Sequence, residues 1–540
     1  MLTTRTLKLT LAALCALLLA LPASSSAITP VEQFGPTGGG DAAGQIGIGA
    51  EGVVVANDGT VFVADPTNRR IDAFAPDGTF LRAFGWDVVP GDGHGFEICT
   101  TVCQAGDAGG GAGQLSSPVG LAIAQNQSLY VADSVNERID VFGQDGSFHR
   151  AFGWDVVPGG GGGFDVCSAV CQAGSAGGAP GQLDDPTGVT VGAGGDLYVA
   201  ERGCVSGCPP GPSGNRISVF GANEAFSRAF GWDVVPGGPA GFEICTAQTG
   251  CQDGTASGQA GGLTHPQSIG ISGSGELFVS EPDANRVSVF GTAETQFLGA
   301  FGKDVIPGGS GGFEVCSAAS GCQAGIAGGA AGEMSSPAGV LSALNDVYVA
   351  DSQNQRLQQF SSAGAFEQAF GRGVISGGSG FEVCTTFCQS GLSGIGSGEF
   401  STPTGVAIDC RGAVYVTDSG NGRIEKFAQS DLRLPPCPDN SFKFGKTKLN
   451  KRHGTARITV LVGNPGTVAG IGHGVRRRTV FKSIGGNAIL RVNPKGRVRH
   501  KLRKHHRAAV AIKVTYTPSN GDPNTKVKRL TLRQPQRHNG

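Results

Sequence analysis

The chain is 540 residues long, has a formal net charge of −1, and contains 92 glycines but only 16% charged residues. After the first 27 residues no apolar stretch is long enough to span a bilayer, which excludes a later transmembrane helix. The neutral total is a cancellation: residues 440–540 hold 24 Lys and Arg against one acid, Asp522, leaving 18 against 42 in residues 1–439. Such asymmetry marks two domains with different surfaces.

Residues 1–27 read as a secretory signal peptide. Arg5 and Lys8 give the basic start, Leu9 to Leu21 the apolar run, and Ser25-Ser26-Ala27 the small residues at the cut. Cys15 sits inside the apolar run after Leu14, without the small neighbour that a lipid anchor wants. The remaining 14 cysteines are an even number in an export context, so disulfides are expected.

From residue 28 to about 431 one pattern recurs six times. Its second strand reads Val61-Phe-Val-Ala-Asp65, Leu129-Tyr-Val-Ala-Asp133, Leu197-Tyr-Val-Ala-Glu201, Leu277-Phe-Val-Ser-Glu281, Val347-Tyr-Val-Ala-Asp351 and Val414-Tyr-Val-Thr-Asp418. Each is followed by an Asn-Arg or Asn-x-Arg turn ending at Arg70, Arg138, Arg216, Arg286, Arg356 or Arg423. In the second copy, four alternating runs begin at Gly120, Ser128, Arg138 and Phe148, with the turn dipeptide Asp145-Gly146 between the last two. Four short antiparallel strands per repeat make one propeller blade. Val31-Glu-Gln-Phe-Gly35 matches Leu81-Arg-Ala-Phe-Gly85, and the sixth copy stops near Phe427 without its fourth strand. The N-terminal strand is therefore expected to complete the last blade and remove the open edges.

These residues resemble the NHL repeat family of four-stranded propeller blades. The resemblance implies that Asp65, Asn68 and Arg70, with their counterparts, tie the turn between the second and third strands and have a structural role. Some relatives are ubiquitin ligases or RNA binders. The ligases carry a zinc domain ahead of the propeller, absent here, and this propeller is acidic where RNA would need a basic face. The closer analogy is with extracytoplasmic propellers of receptor kinases and secreted NHL proteins.

Five inter-blade linkers carry a long module that begins, in the first copy, Gly85-Trp86-Asp-Val-Val-Pro-Gly91 and runs through Gly95-Phe-Glu-Ile-Cys99 and Cys103-Gln104 to Ser117-Pro118. Inserts of this length are uncommon and tend to be functional. The cysteines pair as candidate disulfides: Cys99/Cys103, Cys167/Cys171, Cys245/Cys251, Cys316/Cys322 and Cys384/Cys388, with Cys204/Cys208 in an extra loop. Cys410 and Cys437 are left over and expected to bond. Zinc would need four nearby ligands, and each module offers two. All cysteine loops are expected on one face, the face of the turns between strands two and three. Trp86, Trp154 and Trp232 share one module position, replaced later by Lys303 and Arg372; they either cover their own blade or form a row for a protein or glycan partner.

A propeller enzyme of the lactonase or lyase kind would need His or carboxylates converging on the central channel. The innermost strands read apolar and small, from Gly52-Val-Val-Val55 to Gly405-Val-Ala-Ile408, flanked only by Glu51, Gln267 and Asp409. His94, His149 and His265 fall at unmatched positions. No catalytic, cofactor or metal residue is therefore named.

In the basic C-terminal part, strands are expected over 456–462, 487–492, 508–516 and 527–532, making a small Ig-like β-sandwich. It resembles the basic C-terminal sandwiches of secreted actinobacterial repeat proteins. Arg497 to Arg507 is the densest charge cluster, read as a solvated turn or as an attachment to anionic cell-wall polymer. The expectation is thus an all-β chain: signal peptide 1–27, six-bladed propeller 28–437 and basic sandwich 438–540. It would be a secreted, non-enzymatic binding or scaffold protein, with no nucleic-acid partner, and the channel enzyme is the alternative.

Overall fold

The computed structural model describes residues 28–91, 93–203, 213–292, 295–343, 345–429, 442–482, 485–518 and 524–535. The signal peptide, Cys204, Cys208 and Cys437 lie outside the described residues. No described helix is long and apolar enough to cross a membrane.

After β1 (Ile28–Phe34), the first repeat builds one antiparallel sheet from β2 (Val53–Val55), β3 (Val61–Asp65), β4 (Arg70–Phe74), β5 (Phe80–Trp86) and β6 (Phe96–Cys99), in that spatial order. Every residue of β3 and β4 is buried, as expected of middle strands covered on both faces. The next four repeats build equivalent five-stranded sheets. The sixth sheet is Pro403–Ile408, Val414–Asp418 and Arg423–Gln429, and β1 supplies its outer strand, pairing Phe34 with Ile424 and Glu32 with Lys426.

The six innermost strands meet their neighbours all the way round, so the sheets form a closed β-propeller ring. Small residues allow this closeness. A Cβ on Gly52, Gly120 or Gly339 would lie 2.0–2.4 Å from a backbone oxygen of the next inner strand. Thr404 Oγ1 donates to Ala50 O across the seam between the last and first sheets. Apolar clusters span adjacent sheets: Phe84 of β5 packs against Phe142 of the second sheet, ring centres 5.1 Å apart.

One feature departs from the four-stranded expectation. Each of the first five sheets has a fifth strand, and the insert supplies it. The Phe-x-Ile/Val-Cys run alternates as a strand should, and Trp86 pairs with Phe96 across the hairpin. The phenylalanine of this strand then stacks on the next sheet. Phe96–Phe142, Phe164–Phe220, Phe242–Phe290, Phe313–Phe360 and Phe381–Phe427 have ring centres 5.8–6.0 Å apart.

The C-terminal unit has two antiparallel sheets around one core. One contains Phe442–Asn450, Thr455–Val462 and Gly486–Val492; the other contains Arg478–Lys482, Gly466–Ile471, Arg507–Pro518 and Asn524–Arg533. Ile458, Val460, Val468, Leu490, Ile512, Val514 and Tyr516 fill the space between them. The basic cluster expected as a turn is instead helix α1 (Gly496–His505). Leu502 is buried and Val498, four residues earlier, packs against the same core, while Arg503, Lys504 and His505 suit the negative end of the helix dipole.

Candidate functional site

The site is built by six buried arginines. Arg70, Arg138, Arg216, Arg286, Arg356 and Arg423 are each wholly inaccessible to solvent. A buried guanidinium must satisfy five donors, and here backbone carbonyls of the inserts do most of that. Arg138 donates to Gly110 O, Gly111 O and Gln114 O of the first insert and, at 3.0 Å, to Gln172 O of the second. Arg216, Arg286 and Arg356 repeat the arrangement, each reaching the carbonyl of the glutamine after the second cysteine at 2.9 Å. At the ends, Arg70 joins Asp41 O and Gln45 O to Gln104 O, and Arg423 joins Ile395 O to Thr37 Oγ1. Residues 37–45 thus take the place of a sixth insert. The inserts form one continuous collar on the face of the turns between strands two and three, where Gly106 N donates to Asn68 O.

The glycines of the inserts follow from this packing. A Cβ on Gly110 would meet Ala173 N at 2.1 Å, on Gly178 would meet Asp253 N at 2.0 Å, and on Gly258 would meet Ala324 N at 2.2 Å. Successive inserts touch backbone to backbone.

Acids anchor the arginines and the turns. Asp65 accepts from Gly47 N and from the Asn68 side chain, both at 2.8 Å, and Asp133, Asp351 and Asp418 bond their asparagines likewise. Asp72 and Asp140, on the third strands, accept from Arg70 and Arg138. Burial pushes both carboxyls up to about 7, against the attraction of their arginines. These residues hold structure, in line with what the repeat resemblance implied.

Cys99–Cys103, Cys167–Cys171, Cys245–Cys251, Cys316–Cys322 and Cys384–Cys388 are disulfide-bonded, and Cys410 is bonded too. Their position differs from the expected face. The fifth strand runs back along the sheet, so Cys99 lies opposite Ala83 in the middle of β5, and the cystine buries against Ala83 and Val88. The cystines cover the outer edges of the sheets, and the Gly/Ala stretches form the collar.

Trp86, Trp154 and Trp232 are half-buried, each paired with the insert phenylalanine. The Trp86 ring lies over its own insert: a Cβ on Gly111 would stand 3.2 Å from it. Where the indole is replaced, the cation finds an acid in the same insert, Lys303 with Glu333 at 3.3 Å and Arg372 with Glu399 at 3.6 Å. Sequence reading missed this exchange of Trp and Gln114 for Lys303 and Glu333, which the aligned modules contain.

The central channel encloses about 240 Å³ between the inner strands. Glu51 is the one ionisable residue lining it among the described residues, and burial raises its carboxyl to about 7 although Arg202 pulls the other way. Of the three histidines singled out, His94 is exposed on the first insert, with Asp87 and Asp107 each 3.6 Å from its Nδ1. His265 pairs with Asp283 at 2.6 Å on another sheet, and His149 is exposed.

A model of the NHL repeat matches residues 400–427, from the end of the fifth insert to the third strand of the sixth sheet. No curated protein matches the chain. Among solved structures, a streptogramin B lyase is similar at 11% identity, covering 75% of this chain and 98% of that one, with a TM-score of 0.35. An auxiliary nutrient binding protein from Bacteroides thetaiotaomicron is similar at 10% identity, over 74% and 76%, with a TM-score of 0.40. A gluconolactonase from Xanthomonas campestris is similar at 13% identity, over 74% and 99%, with a TM-score of 0.34. At these TM-scores none of those activities transfers to this chain.

Proposed function

We propose that this is a secreted, non-enzymatic binding or scaffold protein, a six-bladed propeller of the NHL type followed by a basic Ig-like sandwich. The collar carries the reading. Five inserts and residues 37–45 are fixed by buried arginines into one continuous surface, which gives a rigid platform at little cost in ordering on binding. Its partner would be a protein or a cell-surface glycan, which the half-buried Trp86, Trp154 and Trp232 would meet with what they leave exposed. The apolar lining of the channel gives a substrate little to hold, apart from backbone groups and Glu51.

Glu51 is also what favours the alternative, a lactonase- or lyase-like enzyme. A carboxyl near neutrality in an enclosed channel is the kind of group that serves as a general acid or base. Metal analysis of the purified mature chain separates the two. The binding reading predicts no stoichiometric metal. One tightly held ion per chain, lost in Glu51→Gln, would transfer the protein to the enzyme reading.

A further inference from the structure

We propose that the C-terminal unit holds a phosphodiester polymer of a cell surface in the groove between the 471–477 loop and the start of α1. The proposal rests on the exported, binding reading above. The groove has a volume of about 910 Å³, and Arg477, Lys495, Arg497, Lys513 and His473 are among the residues that line it. That is far more room than one small anion fills, so the ligand is a chain with repeated charges. The groove is rigidly framed. Lys495 N donates to Gly474 O at 2.7 Å and Arg476 N to Asn493 O at 2.9 Å. Gly474 has φ +75°, and a Cβ there would come 2.2 Å from Val498 of α1, so the loop and helix seat only with glycine.

Charge sets the ligand class. Residues 442–535 contain no Asp or Glu among those described, and α1 exposes Arg497, Arg499, Lys501, Arg503 and Lys504 beside the groove's entrance residues. A surface of one sign, with no acid among its described residues to neutralise it, is stabilised by a polyanion. The one ion pair its cations make among the described residues is Arg477 with Asp145 at 3.5 Å, both more than half exposed and hence screened by salt. Guanidinium forks suit the paired oxygens of a phosphodiester, and the amide dipoles at the start of α1 have the same sign.

The test uses the mature full-length chain and three probes: poly(glycerol phosphate), polygalacturonate and duplex DNA. The quadruple variant R477Q/K495Q/R497Q/K513Q is compared with a control, K443Q/K446Q/K448Q/R457Q, that removes four exposed cations from the other sheet. The expected result is preference for poly(glycerol phosphate), lost at least tenfold in the groove variant and less than threefold in the control. The slope of log affinity against log salt should fall by about 3 in the groove variant. The off-helix pair R477Q/K513Q gives the same direction if the quadruple variant is less stable. Equal losses in both variants, equal binding of polygalacturonate, tighter binding of DNA, or no binding of the polymer would each overturn the proposal. None of these results depends on the propeller's collar, so this proposal can fail while the collar reading stands.

Discussion

In the first, second, fifth and sixth repeats the second strand ends in Asp and an asparagine bonds it. In the third and fourth it ends in Glu201 or Glu281, and the asparagine's place holds Gly214 or Ala284. Glu201 and Glu281 bond Arg216 and Arg286 at 3.1 and 2.9 Å, as Asp351 and Asp418 bond Arg356 and Arg423 at 2.8 Å, but the glutamates do so with no asparagine beside them. Glu201→Asp should therefore destabilise the protein by about 1.5–3 kcal/mol, the scale of a hydrogen bond to a charged group, seen as a lower unfolding midpoint in denaturant. The asparagine itself cannot be restored there, because Gly214 has φ +55° and a Cβ on it would come 2.3 Å from Gly203 N. The Asp-Asn-Arg signature was legible as structural; the coupling of Glu to the missing Asn lay in the same residues and shows only when the turns are superposed. Asp72 and Asp140 make a second prediction. Each is raised to about 7 by burial, above its unfolded value near 4, so the folded form binds the proton more tightly. Their stabilisation is complete at low pH and is lost as pH rises from about 4 through 7. Thermal melts of the wild type should fall between pH 5 and 8, and the D72N/D140N variant should lose part of that fall. An equal slope in the variant would exclude these two groups as the cause.

The decisive element is the insert hairpin. Read from sequence it was a long Gly-rich loop, because period-two alternation over Phe-x-Ile/Val-Cys is only four residues long and glycine flanks it. What the linear chain did not reveal is that its phenylalanine fills a gap on the next sheet. Phe164→Ala should cost about 2–3 kcal/mol, less than for a fully buried ring, and the loss should appear as earlier exchange of amides in Arg216–Phe220, beside Phe220. Each cystine closes so short a loop that the chain-entropy estimate is about 2 kcal/mol at most. Reduction should thus lower the melting temperature without unfolding the propeller at 25 °C; collapse on reduction would mean that the hairpins hold the sheets upright. In the C-terminal unit the four strongest alternating strands were legible. Gly466–Ile471 and Arg478–Lys482 were not, being interrupted by glycine or crowded with charge, and α1 was hidden because only Val498 and Leu502 mark its apolar side.

At the scale of the molecule, two closures coincide at the N-terminus: β1 completes the sixth sheet, and residues 37–45 complete the collar. The first was readable from the orphan Phe-Gly; the second is marked only by Ala43-Gly44-Gln45-Ile46, which matches Ala112-Gly113-Gln114-Leu115 of the first insert but is four residues long and comes without the tryptophan and the cysteines. Deleting residues 28–45 should open both rings and release protection of Arg423–Gln429 in hydrogen exchange, whereas an unchanged pattern would show that the closure is dispensable. As proposed, the closed collar is a recognition platform. Sedimentation of the mature protein with isolated cell envelopes measures this directly, comparing wild type with W86A/W154A/W232A. The expected result is saturable binding by the wild type and at least tenfold weaker binding by the triple variant, with melting temperatures within a few degrees of each other. Undiminished binding by the variant, or loss of binding that merely follows a collapsed melting temperature, would contradict it.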